Sequence, residues 1–99
     1  MVAFTIIANV GTAKSCYLEA LQCVSEKDLV NAQAKIEEGD QFYQIGHHSH
    51  LKTITDEAQL AVPQISLLLA HAEDQLMSAE TIRIMVQELM KLYQVVLNP

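Results

Sequence analysis

The sequence predicts an all-α fold, an antiparallel up-down-up three-helix bundle. Three observations predict it. Hydrophobic residues fill 51% of the 99 positions while aromatics fill only 5%, so the core must be built from aliphatic side chains. Gly 3 and Pro 2 are low counts, and a chain with few breakers and few aromatics favours long helices over strands. Apolar residues also recur at intervals of three and four along most of the chain, which is the helical period. A length of 99 residues suits one domain, spanning 1–99.

The first helix is expected over about 4–24, where Ile6, Ile7, Val10, Ala13, Tyr17, Leu18, Leu21 and Val24 share a face. Gly11 lies inside it and reads as a point where a neighbouring helix comes close, at a cost of about 1 kcal/mol relative to Ala. The stretch "VSEKDLV" then reads as a turn. Ser25 and Asp28 stand in the spacing of a capping box, with Asp in place of the usual Glu. The second helix is therefore expected over about 26–57, along a stripe of Leu29, Ala32, Ile36, Gly39, Tyr43, Gly46, His50 and Ile54. "AQLAVP" carries no charge and ends in Pro63, which fits a loop and a helix start. The third helix is expected over about 64–96, roughly 50 Å long at 1.5 Å per residue.

This third helix is oilier than a bundle needs. Turning 100° per residue, Leu68, Leu69, Ala72, Leu76, Ala79, Val86, Met90, Tyr93 and Leu97 form one apolar stripe, enough to cover a three-helix core. A second stripe holds Leu67, Met85, Leu89, Leu92 and Val96. Glu73, Glu80, Arg83, Gln87, Lys91 and Gln94 occupy a narrow polar sector. A wide exposed apolar surface marks an interface, so this helix is expected to pack once within its own subunit and again against other copies, in closed cyclic symmetry.

Asp74 falls in the second stripe, with no basic residue within a turn on the same helix. A buried unpaired carboxylate is costly. It would protonate, share a cation with its symmetry mates, or simply stay exposed. His71 lies between the stripes, with Gln75 one turn and Ser78 nearly two turns later. A partly exposed neutral imidazole is a nucleophile available near neutral pH. Amide and hydroxyl donors beside it suit phosphoryl oxygens.

Charge and composition exclude other classes. Six basic against twelve acidic residues give a net charge of −6, and no basic face is present to neutralise nucleic-acid phosphates or an anionic membrane. The start, "MVAFTIIANVGTAKS", has no positive charge ahead of a short apolar run and does not read as a signal peptide. No apolar run approaches the ~20 residues that span a bilayer, so a cytoplasmic protein is expected. Cys16 and Cys23 on one helix would lie roughly 10 Å apart along its axis, too far for a disulfide, and read as small buried hydrophobes. "GHHSH" places His47 and His50 three apart, able to share a transition metal if a further ligand joined them.

"LLLAHAEDQLMSA" resembles the motif of the lactose/cellobiose-type enzyme IIA components of the bacterial phosphoenolpyruvate-dependent sugar phosphotransferase system. That pattern is leucine-rich and then runs His-Ala-Gln-Asp-His-Leu-Met-Thr, against His71, Ala72, Glu73, Asp74, Gln75, Leu76, Met77 and Ser78 here. "GTAKSCYLEAL" at 11–21, "IGHHSHLKTITDEA" at 45–58 and "LMKLYQ" at 89–94 are similar to further blocks of the family. The resemblance implies a homotrimer of three-helix subunits with the third helices at the centre. It implies that His71 accepts a phosphoryl group from the histidine phosphocarrier protein and passes it to a cysteine of enzyme IIB. It implies that three copies of Asp74 hold one Mg²⁺ on the axis, and it hints that His47 lines the cleft near His71. Departures from the pattern include Gln75 for a histidine, Glu73 for a glutamine, and His50-Leu51 for Gln-Thr.

The expected activity is phosphoryl carriage during uptake of a β-linked disaccharide. Gln75, Ser78 and His47 would support the phosphoryl group, and the apolar rim would shield the labile bond and dock two successive partners. Two other readings compete. One is an oligomeric helical interaction protein in which His71 is structural. The other is a bundle that binds a divalent metal through "GHHSH".

Overall fold

The structure is a computed structural model that describes residues 2–58 and 67–97. Among the described residues there are three helices and no strand: α1, Val2–Ser25; α2, Leu29–Ala58; and α3, Leu67–Leu97. Together they form a rod of 58 × 19 × 18 Å. The expected start of the third helix at Gln64, and Pro63 before it, lie outside the described residues.

α1 lies at the centre of the packing. It buries Ala3, Ile6, Val10, Ala13, Cys16, Tyr17, Ala20 and Val24, a run at three- and four-residue spacing that makes one face of a helix. Ile7 and Leu21 are only half-buried, and Leu18 is exposed, so the expected stripe is rotated slightly away from it. α2 contributes Ala32 and Ile36 with Leu29, Phe42 and Tyr43 packed around them. α3 contributes Leu69, Ala72, Leu76, Ala79, Val86 and Met90, flanked by Ile82 and Tyr93. Leu97, placed in the core stripe by the sequence, is 41% exposed at the end of the rod.

The turn between α1 and α2 differs from the expectation in detail. The Asp28 amide donates to the Cys23 carbonyl at 2.9 Å and the Lys27 amide to the Val24 carbonyl at 3.0 Å. Lys27 has a positive φ of 63°. This is a Schellman closure of α1, with Lys27 in the left-handed position that glycine usually fills. Asp28 is also the N-cap of α2. Its Oδ1 accepts from the Asn31 amide at 3.2 Å, and Oδ2 accepts from the Asn31 side chain at 2.6 Å. Ser25 does not cap α2, because its hydroxyl donates back to the Gln22 carbonyl at 2.7 Å. α2 therefore starts at Leu29, three residues after the expected Glu26.

Two glycines, and not the one expected, set how closely the helices approach. A Cβ at Gly39 would stand 2.6 Å from a Tyr17 ring carbon, and one at Gly46 would stand 2.7 Å from Cγ2 of Val10. Gly11 is exposed, with nothing within 4 Å of where a Cβ would be. The pairs 17/39 and 10/46 fall along α1 as they rise along α2. The pairs 40/83 and 50/73 likewise fall along α3 as they rise along α2.

α3 packs chiefly on α1 and meets α2 less extensively, through polar pairs along their seam. Asp40 accepts hydrogen bonds from Nε and Nη2 of Arg83, and its Oδ1 also accepts from the Tyr17 hydroxyl at 2.7 Å. Burial pushes the Asp40 carboxyl up. The hydrogen bonds from Arg83 and Tyr17 outweigh that and hold it below its ordinary value. Burial, then the bond to Asp40, raises the Tyr17 hydroxyl well above its ordinary value. Cys16 is buried and Cys23 half-buried, both as free thiols. Burial raises Cys16 first, and the nearby Glu38 and Glu19 add to that.

Candidate functional site

His71 is exposed near the start of α3, which places its turn on the outer face of the rod. A shallow open groove there is lined by Leu67, Leu68, Ala70, His71 and Asp74. Helical spacing explains the grouping, since 67, 71 and 74 recur at four and three residues and so lie on one face. Ala72, one residue on, turns inward and is fully buried. The helix is thus anchored directly beneath the imidazole while the ring itself stays open to solvent.

The apolar face beyond the groove stands free in the single chain. Leu67 is 89% exposed, and Met85, Leu92 and Val96 are also exposed, with Leu89 half-buried. This is the second stripe read from the sequence. Asp74 sits on it, also exposed, and among the described residues no basic group lies within ion-pair distance of it.

Gln75 is half-buried one turn after His71 and accepts a hydrogen bond from Nζ of Lys14 at 3.0 Å. Lys14 belongs to α1, 61 residues away, and helical periodicity gave no reason to place it here. Ser78, at the next turn on the same side, is half-buried. Glu73 does not crowd the histidine. Two residues on is about 200° around the helix, and its carboxylate meets Nε2 of His50 on α2 at 2.9 Å.

His47 is not brought to His71 within one chain. It stacks on Tyr43 at 5.9 Å between centroids and lines a different groove, between α2 and α3, with His50, Glu73, Met77 and Glu80 among its walls. The reason is rotational: α2 lies against the face of α3 that carries Glu73 and Leu76, away from His71. His50 is engaged by Glu73 and His48 is exposed. Among the described residues no three His, Cys, Asp or Glu side chains converge to hold a metal ion.

Chemically, the arrangement offers one exposed imidazole on an oily rim, an amide and a hydroxyl within two turns, and one cation reached through the amide. Of the described helices, none is long and apolar enough to cross a membrane.

Comparisons with known proteins agree with this geometry. The family described as the lactose/cellobiose-specific IIA subunit of the phosphotransferase system matches residues 1–94. The oligo-β-mannoside-specific EIIA component of Bacillus subtilis is 32% identical over 93 residues, covering 94% of this chain and 84% of that protein. The lactose-specific EIIA component of Staphylococcus aureus is 30% identical, covering 95% and 91%. The crystal structure of the cellobiose-specific enzyme IIA from Bacillus anthracis superposes with a TM-score of 0.88 at 32% identity, covering 96% of this chain and 87% of that one. The chain belongs to the lactose/cellobiose-specific IIA family and is a sugar-specific phosphotransferase component of that type.

Proposed function

We propose that the chain carries a phosphoryl group on His71, taken from the histidine phosphocarrier protein and given to a cysteine of enzyme IIB. The observation that carries this reading is the exposed imidazole at an apolar groove, on the helix that bears the family's histidine motif. A structural histidine would be expected to lie packed or bonded within the bundle, as His50 is to Glu73.

The step balances. The lone pair of one His71 nitrogen forms a new N–P bond as the donor's N–P bond breaks. The donor imidazole keeps that electron pair and regains a proton, while His71 releases one from its second nitrogen. Bond types are the same before and after, so the barrier is mainly one of alignment. Release to a thiolate reverses the roles, with the sulfur as nucleophile and His71 as leaving group. Leu67, Leu68 and Ala70 give both partners an apolar surface to dock on, and a docked partner excludes water from the labile bond.

The reading extends to assembly. The contact order along the helices supports an up-down-up course, and the free stripe of α3 supports a homotrimer with the third helices central. Asp74 then faces the axis. One chain supplies one carboxylate, a hard oxygen donor of the kind that suits Mg²⁺, and three copies would supply three. The ion would offset their mutual repulsion. The transfer itself proceeds on His71. The names of the relatives support a β-linked disaccharide as the sugar imported, and membership of the IIA family supports the cytoplasm as the place of action.

Incubation with phosphoenolpyruvate, enzyme I and the phosphocarrier protein tests the reading. The chain should gain one acid-labile phosphoryl group, mapped to the peptide that contains His71. A chain that stays unmodified, or is modified elsewhere, refutes it.

A further inference from the structure

We infer that Lys14, acting through Gln75, is a positioning residue for the phosphoryl group on His71. The inference rests on the carrier reading above and adds a part to it. Its ground is the 3.0 Å hydrogen bond from Nζ of Lys14 to Oε1 of Gln75.

An amide has an accepting end and a donating end, and an ammonium can only donate. Lys14 therefore binds the oxygen of Gln75 and no other part of it, and the amide is held one way round. Its NH₂ group is left to face elsewhere. Helical side chains lean toward the N-terminus, so a residue at i+4 covers the turn before it. For Gln75 that turn is the one carrying His71, and residues four apart have Cβ atoms about 5–6 Å from each other. The NH₂ group can then donate to a phosphoryl oxygen on His71. With the amide reversed, its oxygen would face the phosphoryl oxygens and repel them.

Charge supports the same assignment. A phosphoryl group brings about two negative charges to a chain of net charge −6, close to Asp74. Lys35, Arg83 and Lys91 hold carboxylates directly. Lys14 holds a neutral amide, so its charge polarises that amide and strengthens it as a donor. Glu73, which would oppose the anion, is turned to His50. Lys14 and Gln75 are both half-buried, so each has enough packing to keep its place and enough access to meet a ligand.

The test uses the whole chain with phosphoenolpyruvate, enzyme I and the phosphocarrier protein. The initial rate of phosphoryl uptake is measured for wild type, K14M, K14R, Q75A, Q75E and the K14M/Q75A double variant, with thermal melting in parallel. K14M and Q75A are each expected to slow uptake about tenfold, the scale of one charge-assisted hydrogen bond. The double variant should be no slower than either single one, and K14R should recover most of the rate. Q75E keeps an oxygen for Lys14 but removes the donor, so it should fold and still be slow, which serves if K14M fails to fold. In wild type the side-chain NH₂ signals of Gln75 should move on phosphorylation, and in K14R they should move likewise. Wild-type uptake in Q75E, a double variant whose losses multiply, or Gln75 signals indifferent to phosphorylation would overturn the inference. A wild-type chain that takes up no phosphoryl group on His71 would overturn the carrier reading instead.

Discussion

Asp40 on α2 clasps Arg83 on α3 with both carboxylate oxygens, and the same carboxylate takes the hydroxyl of Tyr17 on α1. One residue thus ties all three helices at mid-length, across the seam where α2 and α3 otherwise meet least. Tyr17 is fully buried while Asp40 and Arg83 are half-buried, so the bonds are screened less than surface pairs but are not fully desolvated. Asp40→Asn is expected to cost about 1–3 kcal/mol, and Arg83→Gln a similar amount, with the double variant costing less than their sum. Acid should erode the same stability. The folded-state pKa of Asp40 lies below its ordinary value, so as pH falls the unfolded chain binds the proton first. Its contribution is complete above the ordinary carboxylate range and is lost as pH falls through the folded value. Urea titrations of wild type and Asp40→Asn between pH 7 and 3 check this, and curves that stay parallel throughout would contradict it.

The three glycines should respond with opposite signs. Gly39→Ala would drive a methyl into the Tyr17 ring, which is fully buried and held by Asp40, and Gly46→Ala would meet Val10. Each should lose about 1–3 kcal/mol through overpacking. Gly11→Ala adds a methyl in open space within a helix and should gain up to about 1 kcal/mol. Thermal melts of the three single variants decide the ordering.

Lys27 occupies a left-handed backbone position, which costs a side-chain-bearing residue about 1–2 kcal/mol. Lys27→Gly should stabilise the fold by about 0.5–1 kcal/mol after glycine's greater unfolded-state freedom is subtracted. The midpoint of chemical denaturation should rise without a change in slope.

These residues show what sequence alone could reach. The two stripes of α3 were legible because helical periodicity reports burial directly, and Leu69, Ala72, Leu76 and Met90 turn inward while Leu67, Met85 and Leu92 stay out. The turn after Val24 was legible in place but not in its parts. Ser25 and Asp28 are both capping residues, and only the backbone shows that Asp28 caps while Ser25 bonds backward. The ties between helices were not legible. Tyr17 with Asp40 and Lys14 with Gln75 depend on the register of one helix against another, which a single-helix pattern does not contain. For the same reason the place of His47 was not legible: within one chain it lines a different groove from His71, because the distance between them depends on how α2 is rotated. His71 was singled out in the sequence through its motif, and its exposure came from the structure.

Assembly offers its own test. The free face of α3 should hold three chains of 11.0 kDa together in sedimentation equilibrium. Met85→Lys or Leu92→Lys, at exposed positions, should yield folded single chains, since neither residue belongs to the subunit core. Removing divalent ions with a chelator should loosen the wild-type assembly, and Asp74→Leu should assemble without regard to chelator. A wild-type protein that sediments as one chain at high concentration would refute this part.

The most direct measurement of the central claim follows phosphoryl flow to the thiol of enzyme IIB in a relay rebuilt from purified components. With wild type, the IIB cysteine should become phosphorylated. With His71→Ala, whose side chain is exposed and whose loss leaves the core intact, transfer should fall to the level seen with the chain omitted. Undiminished transfer through His71→Ala would contradict the account.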